Sequence, residues 1–197
     1  MTPQFTALIA FLACVPAALF TSASQAAEPQ ITEGFVNAPL AEVWRVFTTA
    51  EGYKVAGVDQ AEVDLRVGGS IRSHYDPKGK LGDAETIVNE ILAYEPERML
   101  AIRIRQAPAS FPFPQAREGT WTVIYFTKSG EDMTHVRIVG LGYRDDAQSQ
   151  AMRKFFAEGN RWTLDHIAKR YWPQCALCKK EQEAENQAAA KKTAVDK

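Results

Sequence analysis

The stretch QSQAMRKFFAEGNRWTLDHIAKRYW, from Gln148 to Trp172, decides how the rest of the chain must fold. Wound at about 3.6 residues per turn, it forms one long amphipathic helix. Met152, Phe155, Phe156, Gly159, Trp162, Thr163, His166 and Ile167 fall on one broad face, and Arg153, Lys154, Glu158, Arg161, Asp165 and Lys169 fall on the other. An apolar face this wide and aromatic needs a large partner. Two of its residues are unusual for plain core. Gly159 weakens a helix relative to alanine, so a close approach or a gap is expected there. His166 sets a polar ring on the buried side. The upstream sequence has to supply the partner, which either closes tightly on this face or leaves a pocket.

Upstream, the pattern changes from helical to alternating. Gln30 to Asn37 alternates through Ile31, Glu33 and Phe35 and predicts a first strand. Pro39 suits the first turn of a helix, where its missing N–H costs nothing. Val43, Trp44 and Phe47 stripe that helix to about Ala50, and Glu51-Gly52 is expected to end it. Strands and turns come next. Glu62 to Arg66 turns at Val67-Gly68-Gly69 into Ser70 to Tyr75, with Ile71, Ser73 and Tyr75 on one face and Arg72 and His74 on the other. Asp76-Pro77-Lys78-Gly79 is a turn, with proline presetting φ and glycine accepting a positive one. Glu85 to Tyr94 and Arg98 to Arg105 are strands separated by Pro96. Gly119 to Thr127 alternates Trp121, Val123 and Tyr125 with Thr122, Ile124 and Phe126, and Met133 to Tyr143 returns as the last strand. Runs of adjacent strands imply antiparallel hairpins, so the class is α+β.

One segment breaks this rhythm. Gln106 to Arg117 holds Pro108, Phe111, Pro112, Phe113 and Pro114, which forbid a regular strand or helix. The two phenylalanines either pack on a nearby element or form a lid over a cavity mouth.

The chain has 197 residues, 46% of them hydrophobic and 24% charged, which is enough for one core. A formal charge of −1 and the lack of a basic stripe leave no electrostatic case for nucleic acid. At the N-terminus, Phe5 to Phe20 is uncharged and mostly apolar, and Ser24 and Ala26 fit a signal-peptidase site with cleavage after Ala26. The expectation is export to the periplasm or medium, with no membrane span left after cleavage. A membrane anchor is the alternative for this run, which is short and interrupted by Pro16, and Cys14 raises a lipoprotein reading. Residues 27–173 are expected to form the domain and 174–197 a polar tail. In that tail Cys175 and Cys178 would pair as a local disulfide in an oxidising compartment; free thiols, an intermolecular bridge or a metal or redox role are the other readings.

Four stretches resemble the START-like, or SRPBCC, superfamily, and within it the group named after the activator of Hsp90 ATPase. They are Val36-Asn37-Ala38-Pro39 leading to Glu42-Val43-Trp44, the glycine-pair hairpin Arg66-Val67-Gly68-Gly69-Ser70-Ile71-Arg72, Ile87-Val88-Asn89-Glu90-Ile91 running to Pro96-Glu97-Arg98-Met99-Leu100, and the terminal helix. The resemblance spans Ile31 to Trp172. It implies a helix-grip fold, a curved antiparallel sheet wrapped around a long C-terminal helix, with a hydrophobic ligand cavity often lying between them. The fold alone does not fix a function. The tryptophan-rich segment of many members is replaced here by Gly52-Tyr53-Lys54-Val55-Ala56, and the proline-phenylalanine loop looks like an insertion. Export would also separate this chain from a cytosolic chaperone, so Hsp90 activation is not carried over.

No nucleophile motif accompanies His74, His135 or His166, and no ligand spacing suggests a metal. Neither a catalytic set nor a cofactor is expected. The leading expectation is an exported protein that binds an apolar or amphipathic small molecule between sheet and helix. Tyr75, Phe111, Phe113, Trp121, Phe155, Phe156 and Trp162 are expected to line the site, with His166 as a polar handle. The alternatives are a cyclase- or dehydratase-type enzyme using His166 or Tyr75 in the same cavity, and a filled domain acting through its surface.

Overall fold

The computed structural model describes residues 28–172 and Lys180. The expected leader 1–26 with Cys14, the two residues Cys175 and Cys178 expected to pair and, Lys180 apart, the expected tail 174–197 lie outside the described residues. The elements run β1 (Gln30–Val36), α1 (Leu40–Thr48), α2 (Ala50–Val55), β2 (Gln60–Val63), β3 (Ser70–His74), β4 (Ile87–Glu95), β5 (Met99–Gln106), β6 (Trp121–Lys128), β7 (Thr134–Leu141) and α3 (Ala147–Tyr171). The strands form one sheet in the order β1-β7-β6-β5-β4-β3-β2, antiparallel at every step. This is the α+β helix-grip fold, with α3 lying against β1 and β7.

The long helix starts where its side chains can cap it. Asp146 accepts the Ser149 N–H at 2.9 Å, and the fully buried Ser149 hydroxyl accepts the Arg144 N–H at 2.8 Å. Two N–H groups at the helix entrance thereby gain partners. Lys169 and Arg170 in the last turn oppose the negative end of the helix dipole. Met152, Leu164, Ile167 and Tyr171 are buried. Leu164 lies against Gly34 of β1, where a side chain on residue 34 would be in ordinary contact with it.

The packed face is therefore rotated from the one read in the sequence. Leu164 is part of it, whereas Phe155 is 46% exposed and Trp162 50%. Arg153, expected on the solvent side, is half-buried and donates to the Pro29 carbonyl at 3.2 Å. Helical periodicity separates apolar from polar side chains, but it cannot say which part of a wide apolar arc meets the sheet.

The first helix and strand β2 also differ from expectation. The segment at Glu51-Gly52 is not an end: a second helix, α2, begins after Thr49. Thr49 is extended at φ −130° and ψ 156°, and its hydroxyl caps α2 by accepting the Gly52 N–H at 3.0 Å. Gly52 is there for close approach, because a Cβ on it would run into the backbone of Arg45 and Val46. Strand β2 starts earlier than predicted because Asp64 to Gly69 is consumed by the turn. Gly69 donates to the Arg66 carbonyl at 2.8 Å, and Gly68, at φ +76°, donates to Ile91 at 2.8 Å.

The main core lies between α1, α3 and the sheet, and runs along the sheet to the fully buried Ile71, Ile91 and Leu100 of β3, β4 and β5. Trp44 and Phe47 of α1 each meet Phe126 edge-on at 5.3 Å between ring centres. Away from β1 and β7, α3 and the sheet diverge.

Candidate functional site

The inward rows of the sheet follow from its register. Ile71 of β3 faces Asn89 of β4, and Asn89 faces Ile104 of β5. Ile102 of β5 faces Thr122 of β6, and Ile124 faces Ile138 of β7. Side chains alternate along a strand, so these positions share the concave face. Over them lies a cavity of about 710 Å³, floored by Ile87, Ile102, Ile104, Ile124 and Ile138. Its volume is in the range of small-molecule sites, roughly 300–1,000 Å³. Phe47 of α1 and Tyr53 of α2 close one end, and Pro108 and Phe111 of the loop after β5 close the other. Phe155, Phe156, Gly159 and Trp162 of α3 form the long wall.

Gly159 explains the opening in that wall. A Cβ built there meets nothing within 4 Å, so the glycine answers a gap and not a close contact. Three residues on, on the same face, Trp162 reaches the segment after α2. Its ring lies over Gly57, where a Cβ would come within 2.5 Å of Cη2, and Gly57 adopts φ +99°. Trp162 stacks on His166 at 5.0 Å and 22°. This stack closes the cavity between α2 and α3, and it takes a residue without a side chain at position 57 to admit the indole.

The proline-phenylalanine loop packs on α3 and also contributes to the cavity lining. Phe111 lines the cavity, and it packs against Phe155 at 5.9 Å and Phe156 at 6.0 Å. Phe113 meets Phe111 and Phe155, each at 5.7 Å, from behind. With Ala116, Tyr143 and Met152, the Phe111, Phe113 and Phe156 rings form a second small core. The loop is also tied to the segment after β3. Ala109 donates to the Ala84 carbonyl at 2.9 Å, and the Ser110 hydroxyl donates to Glu85 at 2.7 Å.

That neighbouring segment is organised by His74. Its Nδ1 accepts the Asp76 N–H at 2.9 Å, which leaves the ring proton on Nε2, 3.2 Å from the Asp83 carboxylate. The sequence placed His74 opposite Ile71 and Ser73, as is observed. It is buried all the same, because residues 76–86 fold over it and Gly79 presses on the ring. The Lys80 N–H, and with it the Glu85 N–H, His74 and Thr86, hold the Asp83 carboxyl below the usual range against partial desolvation. His74 is thus a structural residue under the cavity rim.

Of the residues expected to bind a ligand, Tyr75, Phe111, Phe155, Phe156 and Trp162 border the cavity. Three do not. Phe113 stands behind Phe111. Trp121 alternates with Thr122 and is 40% exposed; it stays off the large cavity and borders only the small recess beside Asn89. His166 is exposed, and it reaches the site only through its stack on Trp162. A ring on the edge of a wide apolar arc sits at a rim as readily as inside.

The sequence reading missed the polar residues of the cavity. Tyr53, Ser73, Asn89 and Thr122 all line it. Burial pushes the Tyr53 phenol well up, with the Tyr75 phenol adding to the effect, so it stays protonated and able to donate. Asn89 was legible, since Ile87, Asn89 and Ile91 share one face of a strand by alternation alone. Next to Asn89 is a recess of about 30 Å³ shared with Thr120, Thr122 and Tyr143. Among the described residues no three His, Cys, Asp or Glu gather as a metal site, and no helix is long and apolar enough to cross a membrane.

The family model described as "Activator of Hsp90 ATPase homolog 1-like protein" matches residues 37–171. No curated protein matches the chain. Among solved structures, protein MLL2253 from Mesorhizobium loti superposes with a TM-score of 0.56 at 17% identity, covering 72% of this chain and 95% of that one. Protein NE0264 from Nitrosomonas europaea gives 0.53 at 18%, covering 79% and 96%. The Aha1 dimer from Colwellia psychrerythraea gives 0.51 at 13%, covering 72% and 97%. At these identities the structures share the fold with this chain.

Proposed function

This chain belongs to the Activator of Hsp90 ATPase homolog 1-like family, and we propose that it binds one apolar or amphipathic small molecule between its sheet and α3. The observation that carries the reading is the cavity of about 710 Å³ with its isoleucine floor and aromatic wall. A void of this size that excluded ligand and water alike would forfeit the packing of every side chain around it. The lining is apolar with a few polar atoms, which is the composition of a binding site. Export follows as part of the proposal from the apolar run and small residues of 1–26. It would place the carrier outside the cytoplasm, where Cys175 and Cys178 would pair.

The test is native mass spectrometry of protein purified from its own host. A co-purifying molecule, released on denaturation, is the expected result. A consistently empty protein, with no thermal shift across a panel of lipids and apolar metabolites, would overturn the reading.

A further inference from the structure

Asn89 is the one carboxamide in the floor of this cavity, and isoleucine surrounds it. Ile71 and Ile104 are its partners on the two neighbouring strands, and Ile87 and Ile91 precede and follow it on the same face of β4. No side-chain hydrogen bond satisfies it among the described residues. The same is true of the Thr122 hydroxyl close by. Partly or wholly buried polar groups find a partner in a protein, a water or a ligand. Neither is sealed off, since among the described residues the unpartnered side-chain atom closed to solvent is Arg153 Nε, so the Asn89 amide and the Thr122 hydroxyl are open to whatever fills the cavity, water or ligand.

The rest of the lining limits what that partner is. Among the described residues, no Asp, Glu, Lys, Arg or His borders the cavity. An ionised group placed there would lose its hydration and meet no opposite charge. The lining amide of Asn160 is already used, donating to Gln30 at 3.0 Å, and Ser110 is used by Glu85. The recess beside Asn89 has room for one water. Tyr143, whose phenol burial pushes up to about 12, borders it as a lasting donor.

We propose that Asn89 reads the polar end of an uncharged amphipathic ligand, pairing with a hydroxyl or carbonyl oxygen, while the hydrocarbon body lies along the isoleucine floor toward Phe111, Phe155 and Phe156. Thr122 and the recess complete the polar end. The ligand class is therefore a neutral oxygenated hydrocarbon: an alcohol, ketone or ester, and not a fatty acid or an alkylamine. This assignment rests on the cavity being a binding site, as proposed above.

The experiment separates the two. Diphenylhexatriene, an uncharged hydrocarbon that fluoresces when desolvated, reports uptake into the cavity, and dodecanol, dodecanoate and dodecylammonium compete for it. The expected result is probe uptake by the wild type, with dodecanol displacing it at concentrations at least about ten-fold lower than either charged amphiphile, the energetic handicap of an unpaired buried charge. In Asn89→Leu, or Asn89→Ala where leucine does not fit, the affinity for dodecanol falls by about three- to ten-fold relative to that for the hydrocarbon probe measured on the same variant, the value of one neutral hydrogen bond. Equal displacement by the charged amphiphiles overturns the assignment, as does an undiminished relative affinity for dodecanol in both variants. Absence of probe uptake by the wild type overturns the binding-site reading itself.

Discussion

Gly159 separates a solid core from a binding wall. A glycine inside a helix either lets something come close or leaves something open, and here nothing lies within 4 Å of where a Cβ would stand. Gly159→Ala is therefore expected to stabilise the fold by about 1 kcal/mol. That corresponds to a rise of roughly 2–4 °C in melting temperature for a chain of this size, read by differential scanning calorimetry. Gly57 is the opposite case. It combines φ +99° with the Trp162 ring over its α-carbon. Gly57→Ala should cost about 1–3 kcal/mol in urea unfolding, and it should shift Trp162 fluorescence as the indole leaves its seat. The sequence flagged Gly159 and His166 together, but only the first faces the open volume. Phe155, Gly159, Trp162 and His166 form the free edge of the apolar arc, so the handle expected at His166 became a stacking partner instead. The residue proposed in its place, Asn89, was visible as a polar residue between two isoleucines. Its meaning depended on knowing that this face of β4 lies under a cavity.

At the scale of elements, the order of strands and helices was legible almost throughout, because alternation and turn chemistry are local. The misses came where a tertiary contact overrides a local signal. Gly52 read as a stop, yet it permits α2 to pack on α1. Thr49 supplies the break by adopting an extended backbone and capping α2. Residues 76–79 read as a turn, with no sign that the segment 76–86 buries His74.

Charge at these junctions gives the fold its pH limits. The Ser149 N–H and then the Arg144 pairing hold the Asp146 carboxyl below its usual range, as the Arg103 hydrogen bond does for Glu90 and the Lys80 N–H for Asp83. A folded value below the unfolded one means that their contribution is whole above about pH 4 and is lost as pH falls through the depressed values. The melting temperature should drop on acidification there. Asp146→Asn, which keeps the cap but not the charge, should flatten that limb. Tyr143 acts at the other end. Its folded value of about 12 exceeds the ordinary phenol value of 10.0, so its contribution is whole below about pH 10 and lost as pH rises toward 12. Tyr143→Phe should remove part of that alkaline decline in melts followed by circular dichroism.

At the scale of the molecule, one sheet serves two purposes. On the β1-β7-β6 side it takes the packed half of α3, with Ile167 fully buried, and Ile167→Ala should cost about 2–5 kcal/mol by equilibrium unfolding. On the β5-β4-β3 side the same sheet faces a helix edge that does not reach it, and α2 and the proline-phenylalanine loop roof the space. The sequence showed both surfaces but not their separation, because the distance between them is set by α2, by the Trp162 and Gly57 seat and by the loop rings acting together. Binding therefore depends on that separation being a ligand volume. The most direct measurement is a fluorescence titration of diphenylhexatriene against the wild type and against Gly159→Phe, which projects a ring into the gap without meeting a neighbour at its Cβ. Saturable uptake of one probe per wild-type chain, lost in a Gly159→Phe protein that melts no lower, is the predicted result. No uptake by the wild type, or uptake unchanged by the phenylalanine, would contradict it.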